Sequence, residues 1–169
     1  MFIVIIYSSL LYSMNTNYYM DLAIREAKKA FKIKEVPVGA ILVDDTKNEI
    51  IALFHNEIIK QNNPTKHAEM LVIEEGCKLK NSRYLDHTSI FITLEPCAMC
   101  ASAISEARIG KLYFGAYDEK KGAIESVMNI YNNKNLFVPE IYGGIREIEC
   151  SLLLKNFFNL IRKENGKKK

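Results

Sequence analysis

Tryptophan is absent from this 169-residue chain, histidine occurs three times, and proline and cysteine four times each. No Gly-, Ser- or Pro-rich run is present to act as a linker, which excludes a chain of tethered modules and leaves one domain with a core of its own. No apolar run approaches the roughly 20 residues of a membrane span. The nearest is the first thirteen residues, where Phe2 to Ile6 and Leu10 to Tyr12 are apolar. The first Lys or Arg is Arg25, so this start lacks the basic region of a secretory signal. It is read as a loose extension or start-site artefact, with Met14 or Met20 as alternative starts; a weak signal or anchor is the competing reading. Four cysteines would allow two disulfides. However, Cys97 and Cys100 form a C-x-x-C at a helix start, while Cys77 and Cys150 sit in partly apolar helical patterns. Metal ligation plus two inert buried thiols is the better reading, and it implies a reducing compartment.

The net charge of +3 is unevenly spread. After residue 150 the chain carries Lys155, Arg162, Lys163, Lys167, Lys168 and Lys169 against Glu164 alone, so the body before this arm is close to neutral. A cationic arm on a near-neutral body suits a polyanionic partner, and also a merely solubilising tail.

Met20, Ala23, Ile24, Ala27, Ala30 and Phe31 recur at helical spacing, with Arg25, Glu26, Lys28, Lys29 and Lys32 opposite, and predict an amphipathic helix ending before Pro37. The apolar runs Val38–Val43 and Ile50–Phe54, joined by Asp44-Asp45-Thr46-Lys47-Asn48, predict an antiparallel hairpin. Their unbroken hydrophobicity predicts that both faces of each strand are covered. A second helix is expected from near Thr65 towards Leu79, and a third strand at Ile90–Leu94. A third helix is expected with Pro96 in its first turn and its end near Ile109-Gly110. Leu112–Phe114 and Glu140–Tyr142 read as further strands, with a helix between them, and a last helix runs from Glu147 to Lys163. The order α-β-β-α-β-α-β-α-β-α implies an α/β protein, a three-layer α/β/α sandwich around a five-stranded mixed sheet.

Chemistry concentrates in two short motifs, His67-Ala68-Glu69 and Pro96-Cys97-Ala98-Met99-Cys100, together H-x-E…P-C-x-x-C. His67 and Cys97 are each expected in the first turn of a helix that follows a strand. Both helix N-termini should then open at one end of the sheet, where α/β sheets place their ligands. Cys97 and Cys100 share a helix face, and the positive N-terminus favours their thiolate forms. One imidazole and two thiolates leave the fourth position of a zinc ion open, as in catalytic rather than structural sites. His55, His87, Cys77 and Cys150 lack ligand spacing. A zinc-stabilised module without chemistry has no use for a non-ligating carboxylate at Glu69. A catalytic site has one, because a carboxylate there can take the proton of a zinc-activated water and pass it on.

This signature alone is shared by cytidine, deoxycytidylate, guanine and riboflavin-pathway deaminases. Further segments narrow it: Glu35-Val36-Pro37-Val38-Gly39-Ala40, Asn56, Pro64-Thr65 before His67, Tyr84-Leu85, and Thr93-Leu94-Glu95 before Pro96. Arg108-Ile109-Gly110, Phe114-Gly115-Ala116 with Asp118, Lys121-Gly122-Ala123, and Ser126 with Met128 continue the series. In order and spacing the chain resembles the tRNA-specific adenosine deaminase family of bacteria, over about Asn17 to Lys163. The resemblance implies a cytidine-deaminase-like fold and hydrolytic conversion of the wobble adenosine of a tRNA anticodon to inosine, with release of ammonia. It implies one zinc per subunit on His67, Cys97 and Cys100, with Glu69 as proton shuttle. It also implies substrate contacts from Asn56, Ala68 and an aromatic of the pair Phe157-Phe158, with Phe158 the candidate and core packing the alternative. The partners implied are the tRNA anticodon stem-loop and a second copy of the chain in a homodimer, in the cytoplasm and away from membranes. The domain reading is an apolar extension at 1–13, a deaminase domain at 14–163 and a basic tail at 164–169. A deaminase of free guanine or deoxycytidylate, and a zinc-containing RNA-binding module without turnover, are the competing functions.

Removing residues 164–169 deletes three lysines and one glutamate. Binding to tRNA is expected to weaken, and its salt dependence to flatten, because fewer counterions are released. A salt series of binding measurements checks this, and an unchanged slope makes the tail only a solubiliser.

Overall fold

The computed structural model describes residues 2–166, with side chains described from Thr16 onward. Its elements are α1 (Phe2–Lys32), β1 (Gly39–Asp44), β2 (Glu49–His55), α2 (Ala68–Lys80), β3 (Thr88–Leu94), α3 (Ala98–Glu106), β4 (Lys111–Ala116), a 3-10 turn (Ile130–Asn132), β5 (Glu140–Tyr142) and α4 (Glu147–Gly166). The sheet order is β2-β1-β3-β4-β5. β1 is antiparallel to both of its neighbours, whereas β3, β4 and β5 are mutually parallel. This is the mixed five-stranded sheet expected.

Strand periodicity divides the core into two layers. Ala40, Leu42, Ile90, Ile92, Leu112 and Phe114 pack with Ala68, Val72 and Ile104 of α2 and α3. The intervening Ile41, Val43, Phe91 and Tyr113 pack with Met20, Ala23 and Cys150 of α1 and α4. Burial on both faces explains why β1 and β3 read as continuous apolar runs. β2 departs from that expectation. It is the sheet edge, only its Ala52 is buried, and Ile50 and Leu53 are exposed.

Four boundaries also move. α2 starts at Ala68 rather than near Thr65, because Asn63 Oδ1 accepts the Thr65 N–H (2.9 Å) and hydroxyl (2.8 Å) and makes a turn there. α3 starts at Ala98 and stops at Glu106, where Arg108 adopts a left-handed φ of 55° and Ile109 N–H returns to Ile104 O. Pro96 therefore precedes the N-cap instead of occupying the first turn. Between β4 and β5 the expected helix shrinks to the 3-10 turn, since the segment before it is held by a buried carboxylate described below. α4 continues to Gly166, so the boundary drawn at Lys163 falls inside a helix whose Glu164 pairs with Lys34 (2.9 Å). The side chains of the 1–13 extension, and residues 167–169 of the basic tail, lie outside the described residues. No helix among the described residues is long and apolar enough to cross a membrane.

α1 meets the sheet where β1 begins. A Cβ on Gly39 would run into Ala23 O and come within 2.6 Å of Ala27 N, both backbone atoms of α1. Gly39→Ala is expected to cost about 1–3 kcal/mol as the helix is forced off the strand. Gly110→Ala, whose Cβ would stand 3.5 Å from Thr88 O, an ordinary contact, should stay within about 0.5 kcal/mol. Equilibrium denaturation of the two variants checks the contrast.

Candidate active site

β2 and β3 both run antiparallel to the β1 strand between them, so they point the same way and deliver the N-termini of α2 and α3 to one end of the sheet. His67 and Cys97 are the N-cap residues of these helices, one position earlier than the expected first turn. Both have extended backbones (ψ 152° and 170°) and neither side chain caps its own helix, so each is free to face the other. Cys100 lies one turn into α3 on the same face.

The three donor atoms converge. His67 Nδ1 stands 3.5 Å from Cys100 Sγ and 3.9 Å from Cys97 Sγ, and the two sulfurs are 3.7 Å apart. Ligands at zinc–sulfur and zinc–nitrogen bond lengths, tetrahedrally disposed, are about 3.5–3.8 Å from one another. The donor set therefore fits zinc in chemistry and in span. It is the only such His/Cys/Asp/Glu group among the described residues. His55 is engaged elsewhere, with Nδ1 3.0 Å from Glu26 Oε2, and His87 occupies a turn with φ 58°. All four cysteines are free thiols. Cys150 is buried, as expected, and burial pushes its thiol up to about 12. Cys77 is only half-buried, because its Sγ sits at the α2 surface near Arg83 O.

The three donors share their protons unequally. The hydrogen bond with Cys100 holds the Cys97 thiol down at about 3, despite burial, with His67 adding to the effect. The same hydrogen bond pushes Cys100 up, as when two thiols share one negative charge. The Cys97 hydrogen bond raises His67. Glu69, in the first turn of α2, is buried, and desolvation raises its carboxyl. Its Oε2 is the one buried side-chain oxygen or nitrogen among the described residues without a hydrogen-bond partner. A buried orphan acceptor is costly unless something else is bound there.

His67, Glu69 and Cys97 line a cavity of about 530 Å³. Asn56, which follows β2, is buried on its wall; Nδ2 donates to Val36 O (3.1 Å) and Oδ1 accepts the Ala68 N–H (2.9 Å). Ala68 itself is fully buried behind Asn56 and does not line the cavity. The aromatic pair divides. Phe157 is buried against Phe31 (5.6 Å between centroids), while Phe158 is exposed and reaches the cavity from α4.

Two buried carboxylates of the flanking motifs hold loops beside the site. Glu35, 1% exposed, accepts Ile59 N–H (2.6 Å) and Lys60 N–H (2.8 Å), holding the loop after β2. Glu95, which lines the cavity, does the same for the segment after β4; burial acts to raise its carboxyl, but hydrogen bonds led by Glu125 N–H hold it below the ordinary value. The available signal was the placement of each acid directly beside an apolar strand or a proline.

The sequence matches the family model for the cytidine and deoxycytidylate deaminase zinc-binding region over residues 13–116. It is 45% identical over 144 residues to the tRNA-specific adenosine deaminase of Rickettsia felis, covering 85% of this chain and 100% of that protein. It is 42% identical over 147 residues to that of Bacillus subtilis, covering 86% and 90%. The fold superposes with a TM-score of 0.78, at 40% identity, on a structure from work on A-to-I editing by tRNA:A34 deaminases at the wobble position of transfer RNA, covering 81% of this chain and 99% of that one. Guanine deaminase from Nitrosomonas europaea, with a TM-score of 0.73 at 14% identity over 83% of each chain, shares the fold alone.

Cys97→Ala or Cys100→Ala leaves two protein ligands, and each variant is expected to lose its zinc while the parent carries one per chain. Elemental analysis of the purified proteins decides; full occupancy in both variants would remove the assignment.

Proposed function

This chain belongs to the tRNA-specific adenosine deaminases of the cytidine and deoxycytidylate deaminase family, and from that premise we propose that it hydrolyses the wobble adenosine of a tRNA anticodon to inosine and ammonia. The observation that carries the reading is Glu69: a buried, unpartnered carboxylate oxygen beside a His67–Cys97–Cys100 donor set with room for a fourth ligand.

Zinc held by His67, Cys97 and Cys100 would supply an acidified water at that fourth position. Glu69 takes up a proton from the water and delivers it to N1 of the adenine as the C6–oxygen bond forms. A second transfer through the same carboxylate carries a proton to the departing nitrogen, the C6–N6 bond breaks, and ammonia leaves. Burial suits Glu69 to this, since a raised pKa lets the carboxyl hold the proton between transfers.

Asn56 orients the flipped-out base, and Ala68 acts through it, because the Ala68 N–H fixes the Asn56 amide. Phe158 offers a face for stacking an unpaired base, and the exposed Lys120 and Lys121 at the cavity rim face RNA phosphates. The anticodon loop lowers the cost of extruding the base because its bases are unpaired beforehand. The working form is a homodimer in the cytoplasm whose partner subunit helps hold the loop. The deaminase domain is assigned to residues 14–163, although α1 continues back across residue 13 and α4 on to Gly166, so residues 2–13 and 164–166 extend its first and last helices.

An anticodon stem-loop with a wobble adenosine is expected to release ammonia, with free guanine and deoxycytidylate as inactive controls. Glu69→Gln should lower turnover by about 10⁴-fold, the top of the range for general acid–base catalysis, with zinc content and stem-loop binding retained. Turnover within about tenfold of the parent, or loss of zinc, would move the proton shuttle to another residue.

A further inference from the structure

Glu95 stands between the end of β3 and the Pro96-Cys97 step, 2% exposed, and takes no part in the chemistry described above. Its carboxylate accepts five hydrogen bonds. Oε1 receives the N–H groups of Ile124 (3.1 Å), Glu125 (2.7 Å) and Ser126 (3.0 Å); Oε2 receives the Asp118 N–H (3.0 Å) and the Ser126 hydroxyl. Every donor belongs to the segment 118–126, which carries Lys120 and Lys121 to the cavity. That segment is also tied to the metal-ligand turn, by the bridge between Cys97 and Gly122 and by Ala123 N–H on Pro96 O (2.9 Å). A Cβ on Gly122 would collide with the Glu95 carboxylate, so the segment lies as close as a glycine permits.

The segment has little regular structure to hold it. Between β4 and β5 there is only one 3-10 turn, and residues 117, 119–121 and 125–129 are exposed. A charged acceptor shared by four backbone donors and one hydroxyl replaces the missing ladder, and hydrogen bonds to an ionised group are the strong ones. From this geometry we propose that Glu95 is a positioning residue: it fixes the Lys120–Lys121 segment at a set distance from the Cys97 ligand, so that the RNA backbone is received in register with the metal. This deepens, and rests on, the reading of the cavity as a tRNA site. The segment is ordered before the substrate arrives, which lowers the entropic cost of binding.

Glu95→Gln tests it. An amide has one acceptor oxygen and one donor nitrogen, so in either orientation its NH₂ faces at least one backbone N–H of the segment. The amides of Asp118, Ile124, Glu125 and Ser126 are expected to exchange hydrogen about tenfold faster or more, with β3 and α2 unchanged. One zinc per chain is retained. KM for the anticodon stem-loop rises about tenfold while kcat falls less than about threefold. Ser126→Ala removes one donor from an exposed residue, leaves the fold intact, and should reproduce the same pattern at smaller size; it decides the matter if Glu95→Gln does not fold. Unchanged exchange in the variants, faster exchange with an unchanged KM, or loss of zinc from Glu95→Gln overturns the proposal. If the parent turns over no stem-loop, the substrate reading fails, and the exchange measurement, made on the protein alone, then judges the part assigned to Glu95.

Discussion

β1 lies between two strands that both oppose it, and the site depends on that placement. Because β2 and β3 are each antiparallel to β1, they must be parallel to one another, and the helices that follow them start at the same end of the sheet. His67 and Cys97 are brought together by this pairing, not by any local motif. Both residues serve as N-caps whose side chains make no cap bond, so the polar edge where the two helices begin is turned toward a common point. Cys97, at the positive N-terminus of α3, is the thiol held low there.

Around that point the protein buries three carboxylates and treats them differently. Glu35 and Glu95 are satisfied by N–H groups of two irregular segments, one after β2 and one after β4. Glu69 is left with an unpartnered oxygen. The contrast follows from their tasks. A carboxylate that holds a loop is best fully hydrogen-bonded and permanently ionised, whereas one that must gain and lose a proton is best desolvated and lightly bonded. Burial raises the carboxyl of Glu69, while the hydrogen bonds on Glu95 prevail over its burial.

Much of this was readable residue by residue. The alternation between the two core layers was hidden in β1 and β3, yet their unbroken apolar runs reported burial on both faces. The same pattern misled for β2, because an apolar run does not say whether a strand ends up at an edge; Ile50 and Leu53 look like core residues and are exposed. Helix ends were also missed. The Asn63 turn delays α2, and left-handed Arg108 cuts α3 short, since side-chain and backbone turn chemistry competes with helix propensity over single residues. Phe157 and Phe158 were indistinguishable in sequence. Adjacent residues on a helix point about 100° apart, so one enters the core against Phe31 and the other faces the cavity.

The donor set, the non-ligating carboxylate beside it and the layered α/β class were all legible from residue order, because spacing within a helix or strand is a local property of the backbone. It also carried the family, through short motifs whose order survives along the chain. How separate segments meet came from the folded chain alone: the convergence of His67 on Cys97 and Cys100, the orphaned oxygen of Glu69, and the five donors from 118–126 that gather on Glu95. These depend on strand order and on loops whose path is set by long-range hydrogen bonds. No periodicity records a partner some thirty residues away.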